Sequence, residues 1–223
     1  MDLHCANLGH LRKYVGREGD GSITSLSLER IGDDFFRSSL HLPNLKELQL
    51  DASGVSDAGL AGLIRFQSLE DLALRHTSIG DAGLVHVGRL RNLHYLRLEG
   101  TNVTGAGMSE LTNLKSLEWL FLLGTKVDDS GLLALSKLPW LETLDLRATR
   151  VTDVGVKMLE NGFPKLTSLT LSRDNTNVSF EALASLRRVK PICKIELWPP
   201  PEADADDDAR VDRILKEKGH NKT

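Results

Sequence analysis

Four aspartates, Asp57, Asp81, Asp129 and Asp153, recur at multiples of 24 residues. Carboxylates brought together by such a repeat are first-order candidates for general acid–base work. Two histidines, His76 and His94, and two cysteines, Cys5 and Cys193, are the candidates for a metal. Gly105-Ala106-Gly107 and Gly124-Thr125-Lys126 look like fragments of phosphate-binding loops. None of these survives inspection of its spacing. No complete phosphate loop, GxSxG elbow, HExxH helix or EF-hand is present. The cysteines lack a CxxC or a nearby Cys/His partner, so no zinc site is expected. The two histidines fall at opposite ends of neighbouring strands and read as solvated surface residues. The aspartates stand where a helix begins, which explains them without catalysis. No cofactor and no metal are expected.

The chain has 223 residues, 40% hydrophobic and 26% charged, with 28 basic and 31 acidic side chains and a net charge of -3. That balance argues against nucleic acid or an anionic membrane as the main partner. No run of 18 apolar residues is present, so no membrane insertion is expected. The first 21 residues are too polar for a secretory leader, and a cytoplasmic location is the expectation. A piece of a longer protein would begin in the same way.

The elements that carry the candidate residues come from a repeat. The pattern LxxLxL starts at Ile23, Leu45, Leu69, Leu93, Leu117, Leu141, Leu166 and Ile192. Glycine recurs at Gly59, Gly83, Gly107, Gly131 and Gly155, and a hydroxyl at Ser53, Thr77, Thr101, Thr125 and Thr149. Several columns held in step over five copies define a solenoid. In each unit, leucines alternate with polar residues as in a strand with one buried face. A turn follows, then a short helix. Ser56, Thr104, Asp128 and Thr152 stand at its N-cap, with the aspartate column in its first turn. Apolar pairs at i and i+3, such as Leu84/Val87 and Leu132/Leu135, face the strands. Each unit needs its neighbours to bury that face. The hydroxyl column is expected to satisfy backbone groups at the bend, and the glycines to allow close approach of backbone.

The segments LEWLFLLGTKVDDSGLLALSKL and LETLDLRATRVTDVGVKML resemble bacterial leucine-rich repeats of the planctomycete type. They are also similar to the repeats of eukaryotic F-box proteins, although threonine stands where that class carries cysteine. The resemblance spans roughly residues 23 to 197. It implies an α/β leucine-rich repeat solenoid (a horseshoe) with about eight parallel strands on the concave face and short helices on the convex face. The expected organisation is a helical cap over 1–22, a repeat domain over 23–198 and an acidic, disordered tail over 199–223. In the cap, Leu8, Leu11 and Val15 line one face of a helix over residues 2–16. In the tail, Val211, Ile214 and Leu215 could line one side of a short helix. Cys5 and Cys193 would sit ~34 Å apart along the stack, beyond disulfide reach, so both read as free thiols.

Because the fold does not dictate the concave strand positions, they carry the functional signal. Trp119, Phe121 and Leu123 come from one strand and Tyr95 lies beside Trp119. Arg75, Arg97, Arg147, Glu99 and Asp145 ring them. Aromatic anchors with an arginine-rich rim have the composition of protein-binding hot spots. The alternative is that the tail or a second copy covers them. Glu29, Glu47, Asp51 and Asp71 gather on the first three strands, as a solvated face or a second docking patch. The expected function is therefore a non-catalytic scaffold, monomeric or weakly dimeric, that binds another protein or peptide. The resemblance to F-box proteins implies an alternative, the substrate-recognition subunit of a ubiquitin ligase. A third reading is an enzyme with an unrecognised site.

Overall fold

The computed structural model describes residues 13–37, 41–172 and 178–198. Cys5, most of the expected N-terminal helix, and the tail with Val211, Ile214 and Leu215 lie outside the described residues.

Nine strands form one sheet in strict chain order. They are β1 (Lys13–Arg17), β2 (Ile23–Leu28), β3 (Glu47–Gln49), β4 (Asp71–Ala73), β5 (Tyr95–Arg97), β6 (Trp119–Phe121), β7 (Thr143–Asp145), β8 (Ser168–Ser172) and β9 (Lys194–Trp198). Strands β2 to β9 are parallel and correspond to the eight copies of the repeat. Their central leucines align as Leu48, Leu72, Leu96, Leu120, Leu144 and Leu169. The chain is thus an α/β leucine-rich repeat solenoid.

The ninth strand was not expected. Over Lys13–Arg17 the chain is not helical but pairs antiparallel with β2, Val15 facing Leu26. The exposed edge of β2 offers unpaired backbone groups, and Tyr14-Val15 favours a strand while Gly16 disfavours a helix. The far end also departs from the repeat. Ile192, in the column of the buried first leucine, is 86% exposed, and Cys193 turns inward instead. Burial raises the pKa of the Cys193 thiol, and this cysteine is free.

The helical layer consists of α1 (Asp34–Arg37), α2 (Asp81–Val87), α3 (Asp129–Leu135), α4 (Asp153–Asn161), α5 (Phe180–Val189) and two 3-10 segments, Gly59–Arg65 and Ala106–Asn113. Neither 3-10 segment has an acidic residue in its first turn, whereas α2, α3 and α4 begin on Asp81, Asp129 and Asp153. Leu60, Leu63, Leu84, Val87, Met108, Leu111, Leu132, Leu135, Val156 and Leu159 are all fully buried against the sheet. At about 25 cal/mol per Å² of apolar surface, the continuous core that this stripe forms with the strand leucines is the main source of stability.

The hydroxyl column closes each bend from within. Thr77, Thr101, Thr125 and Thr149 donate to the carbonyls of Leu74, Leu98, Leu122 and Leu146, three residues back, at 2.6–2.7 Å. At Ser53 the hydroxyl is buried without a partner. One residue before the hydroxyl the backbone turns left-handed, at Ala52, His76, Gly100, Gly124 and Ala148. Only two of these are glycine, so the others hold a conformation that costs a side chain about 1 kcal/mol or more.

Candidate functional site

Side chains alternate across each short strand, so the parallel register lines up the third and fifth positions of every repeat on the concave face. Tyr95 pairs with Trp119, and Arg97 with Phe121. The rings meet as expected. Tyr95 stacks on Phe121 with centroids 5.1 Å apart and lies 5.5 Å from Trp119. All three are half-buried, because each covers part of its neighbours. Leu123 is also half-buried, two residues beyond Phe121 on the same chain segment.

The charged residues do not form the open rim expected of them. Arg75 reaches back one strand and binds Asp51 through Nε and Nη2 at 2.8 and 2.6 Å, while its backbone N–H donates to the other oxygen. Arg97 reaches back to Asp71 at 3.4 Å, and its guanidinium lies 4.3 Å from the centre of the Tyr95 ring. Arg147 forks onto Asp145, two residues before it, and covers the ring of Trp198 at 5.4 Å. Asp145 is only 2% exposed. It presents no free carboxylate to a partner.

The acidic group on the first strands is therefore half neutralised. Asp51 and Asp71 serve Arg75 and Arg97. Glu47 accepts the Ser25 hydroxyl at 2.9 Å, and Glu29 is exposed. Burial raises the pKa of Asp71, with Arg97 opposing it. Burial also lifts the carboxyl of Glu99, and its Oε2 atom is buried with no hydrogen-bond donor. Sequence reading placed Glu99 on the rim but could not show that one of its two oxygens is buried without a donor. Trp198 was missed as the cover of Arg147, since β8 lies between β7, which Arg147 follows, and β9, which carries Trp198.

A second apolar surface lies on the convex side. Leu133 and Val154 are 58% and 59% exposed and flank a groove between α3 and α4. Their signal was legible as apolar residues off the buried i, i+3 stripe.

Among the described residues, no group of three His, Cys, Asp or Glu side chains could hold a metal ion. Among the same residues, no helix is long and apolar enough to cross a membrane.

Comparison with known proteins returns the same architecture. Residues 67–87 and 137–159 match the family model of a leucine-rich repeat. An internalin C2 from Listeria monocytogenes is similar at a TM-score of 0.59 and 22% identity, covering 80% of this chain and 81% of that one. A second Listeria monocytogenes internalin (inlF) aligns at a TM-score of 0.51 and 18% identity, covering 75% of this chain and 52% of the other. At such identity the likeness concerns the fold. No curated protein sequence matches the chain.

Proposed function

We propose that this solenoid is a non-catalytic scaffold that binds another protein on its concave strand face, over the repeat domain of residues 23–198. The observation that carries the reading is the ring cluster of Tyr95, Trp119 and Phe121 among the mainly polar side chains of that face. A solenoid's stacked repeats create extended concave surfaces suited to such binding. Aromatic residues that are half-covered in the free protein supply large contact area at low entropy cost. Arg97 and Leu123 complete the patch, and Arg75, Glu99, Asp145 and Arg147 border it. The remaining acids, Glu29, Glu47, Asp51 and Asp71, extend the surface toward β2 and offer a second contact. The threonine column favours the bacterial type of repeat over the ubiquitin-ligase reading, because that class carries cysteine at these positions.

The test is affinity capture from cell extract with three forms of the full chain. They are the native protein, Y95S/W119S/F121S, and the convex control L133S/V154S. A partner held by the native form and the control, and lost from the triple variant, supports the reading. A partner retained by the triple variant and lost from the control moves the site to the convex groove.

A further inference from the structure

The charges of the concave face are unevenly satisfied. Among the described residues its three arginines are each held by an aspartate, Arg75 by Asp51, Arg97 by Asp71 and Arg147 by Asp145. The glutamates Glu29, Glu47 and Glu99 form no ion pair with a described residue. An anionic partner would have to break existing pairs, while a cationic one meets carboxylates outside any direct ion pair, Arg75 and Arg97 acting on Glu99 only from a distance while each is held by its own aspartate. Glu99 is the sharpest case. One of its oxygens is out of reach of water and receives no donor. The side chain as a whole is only half-buried, so a cation arriving from the concave side can pair with the carboxylate.

Glu99 lies two residues beyond Arg97 and therefore on the same face of the sheet. It sits next to the strand that carries Trp119 and Phe121. Arg97 already fills the face of Tyr95. Trp119 and Phe121 are thus the rings left for an incoming side chain. In an extended chain, alternate side chains stand about 6.6 Å apart, close to the spacing from Glu99 to its diagonal neighbour Phe121.

We propose that the concave face receives an extended basic peptide segment of another protein, which seats a large apolar side chain on Trp119 and Phe121 and pairs a lysine or arginine two residues away with Glu99. This inference rests on the interaction reading above and adds the chemistry of the partner to it. Charge complementarity selects the cation, and the ring pair selects its apolar neighbour. An acidic or purely apolar segment would leave Glu99 buried and unpaired, which costs affinity.

The experiment is selection of a random dodecapeptide phage library on the full chain and three variants of it. The native chain should enrich lysine or arginine two positions from leucine, phenylalanine or tryptophan. E99Q should keep the apolar preference and lose the basic one. A synthetic peptide of the selected sequence should bind E99Q about tenfold more weakly, the effect of one charge-assisted hydrogen bond. Apolar or acidic enrichment without the basic residue, or basic enrichment unchanged in E99Q, overturns the inference and leaves the concave reading standing. Identical peptides from Y95S/W119S/F121S overturn both. Enrichment only from V211S/I214S/L215S makes the chain's own tail the occupant and overturns a partner in trans. No enrichment from any of the four chains also overturns the proposal.

Discussion

Thr104 donates its backbone N–H and its hydroxyl to the two oxygens of Asp81, at 2.8 and 2.6 Å. The two residues belong to successive repeats. Ser56 binds Asp33 in the same way, and Thr152 binds Asp129. The aspartate column is thus a clamp from one repeat to the next, as well as a helix start. It also gives a reason for the glycine column, because a Cβ on Gly59, Gly107 or Gly155 would run into the carboxylate of Asp33, Asp81 or Asp129. Replacing Thr104 by Val removes one leg of a clamp. The expected loss is about 1.5 kcal/mol or more, the worth of a hydrogen bond to a charged group, measured by urea unfolding. A loss near zero would show that the clamp is incidental.

The clamp has a pH signature at Asp33. The Ser56 hydroxyl, and then the Ser56 backbone N–H, hold its carboxyl below the usual range. A carboxylate lowered by folding contributes stability that is present above its unfolded value, about 3.9, and lost as pH falls through the folded one. Ser56→Ala should move the Asp33 titration, followed by carboxyl NMR, up toward the ordinary value. An unmoved titration would assign the shift to another neighbour.

Gly105 is the exception in the aspartate column. Its successor repeat compensates with Asp128, which accepts from Ser130 and Gly131 in its own helix. A Cβ on Gly105 would strike Asp128. Gly105→Asp alone should therefore destabilise by about 1–3 kcal/mol, through overpacking and like charge. G105D/D128T restores the arrangement of Asp81 and Thr104 and should recover most of that loss. Additive losses in the double variant would contradict the clamp.

Much of this was legible in the sequence. The period set the strand register, and Leu120, in the middle of its LxxLxL, is fully buried between Leu96 and Leu144. Leu120→Ala should cost about 2–5 kcal/mol. The caps at Asp128 and Thr152 and the Tyr95–Trp119 pair also followed from spacing, whereas the segment after Thr104 is a 3-10 turn whose N-cap is Gly105, without a side-chain cap bond. What stayed hidden depends on contacts between repeats. A column of aspartates shows where a helix starts, not that its carboxylates reach forward 23 residues. Arginines on alternate strand positions give no sign that each is held by an aspartate. The strand at Lys13–Arg17 owes its form to the edge of β2, which local pattern does not encode.

Glu99 makes a stability prediction independent of any partner. Burial raises its carboxyl on folding. The fold therefore favours the protonated form, a contribution complete below the unfolded value of about 4.3 and lost as pH rises through the folded one. Glu99→Gln should then be more stable than the native chain at pH 7, with the difference closing as pH falls toward 4. Thermal unfolding across that range gives the answer. A destabilised Gln variant at pH 7 would mean that Glu99 is well satisfied.

The interaction reading is tested most directly by hydroxyl-radical footprinting of the native chain with and without the protein it captures. Binding on the concave face should protect Tyr95, Trp119 and Phe121 and leave Trp140, Leu133 and Val154 as reactive as before. Protection of Leu133 and Val154, with the three concave rings unchanged, would contradict it.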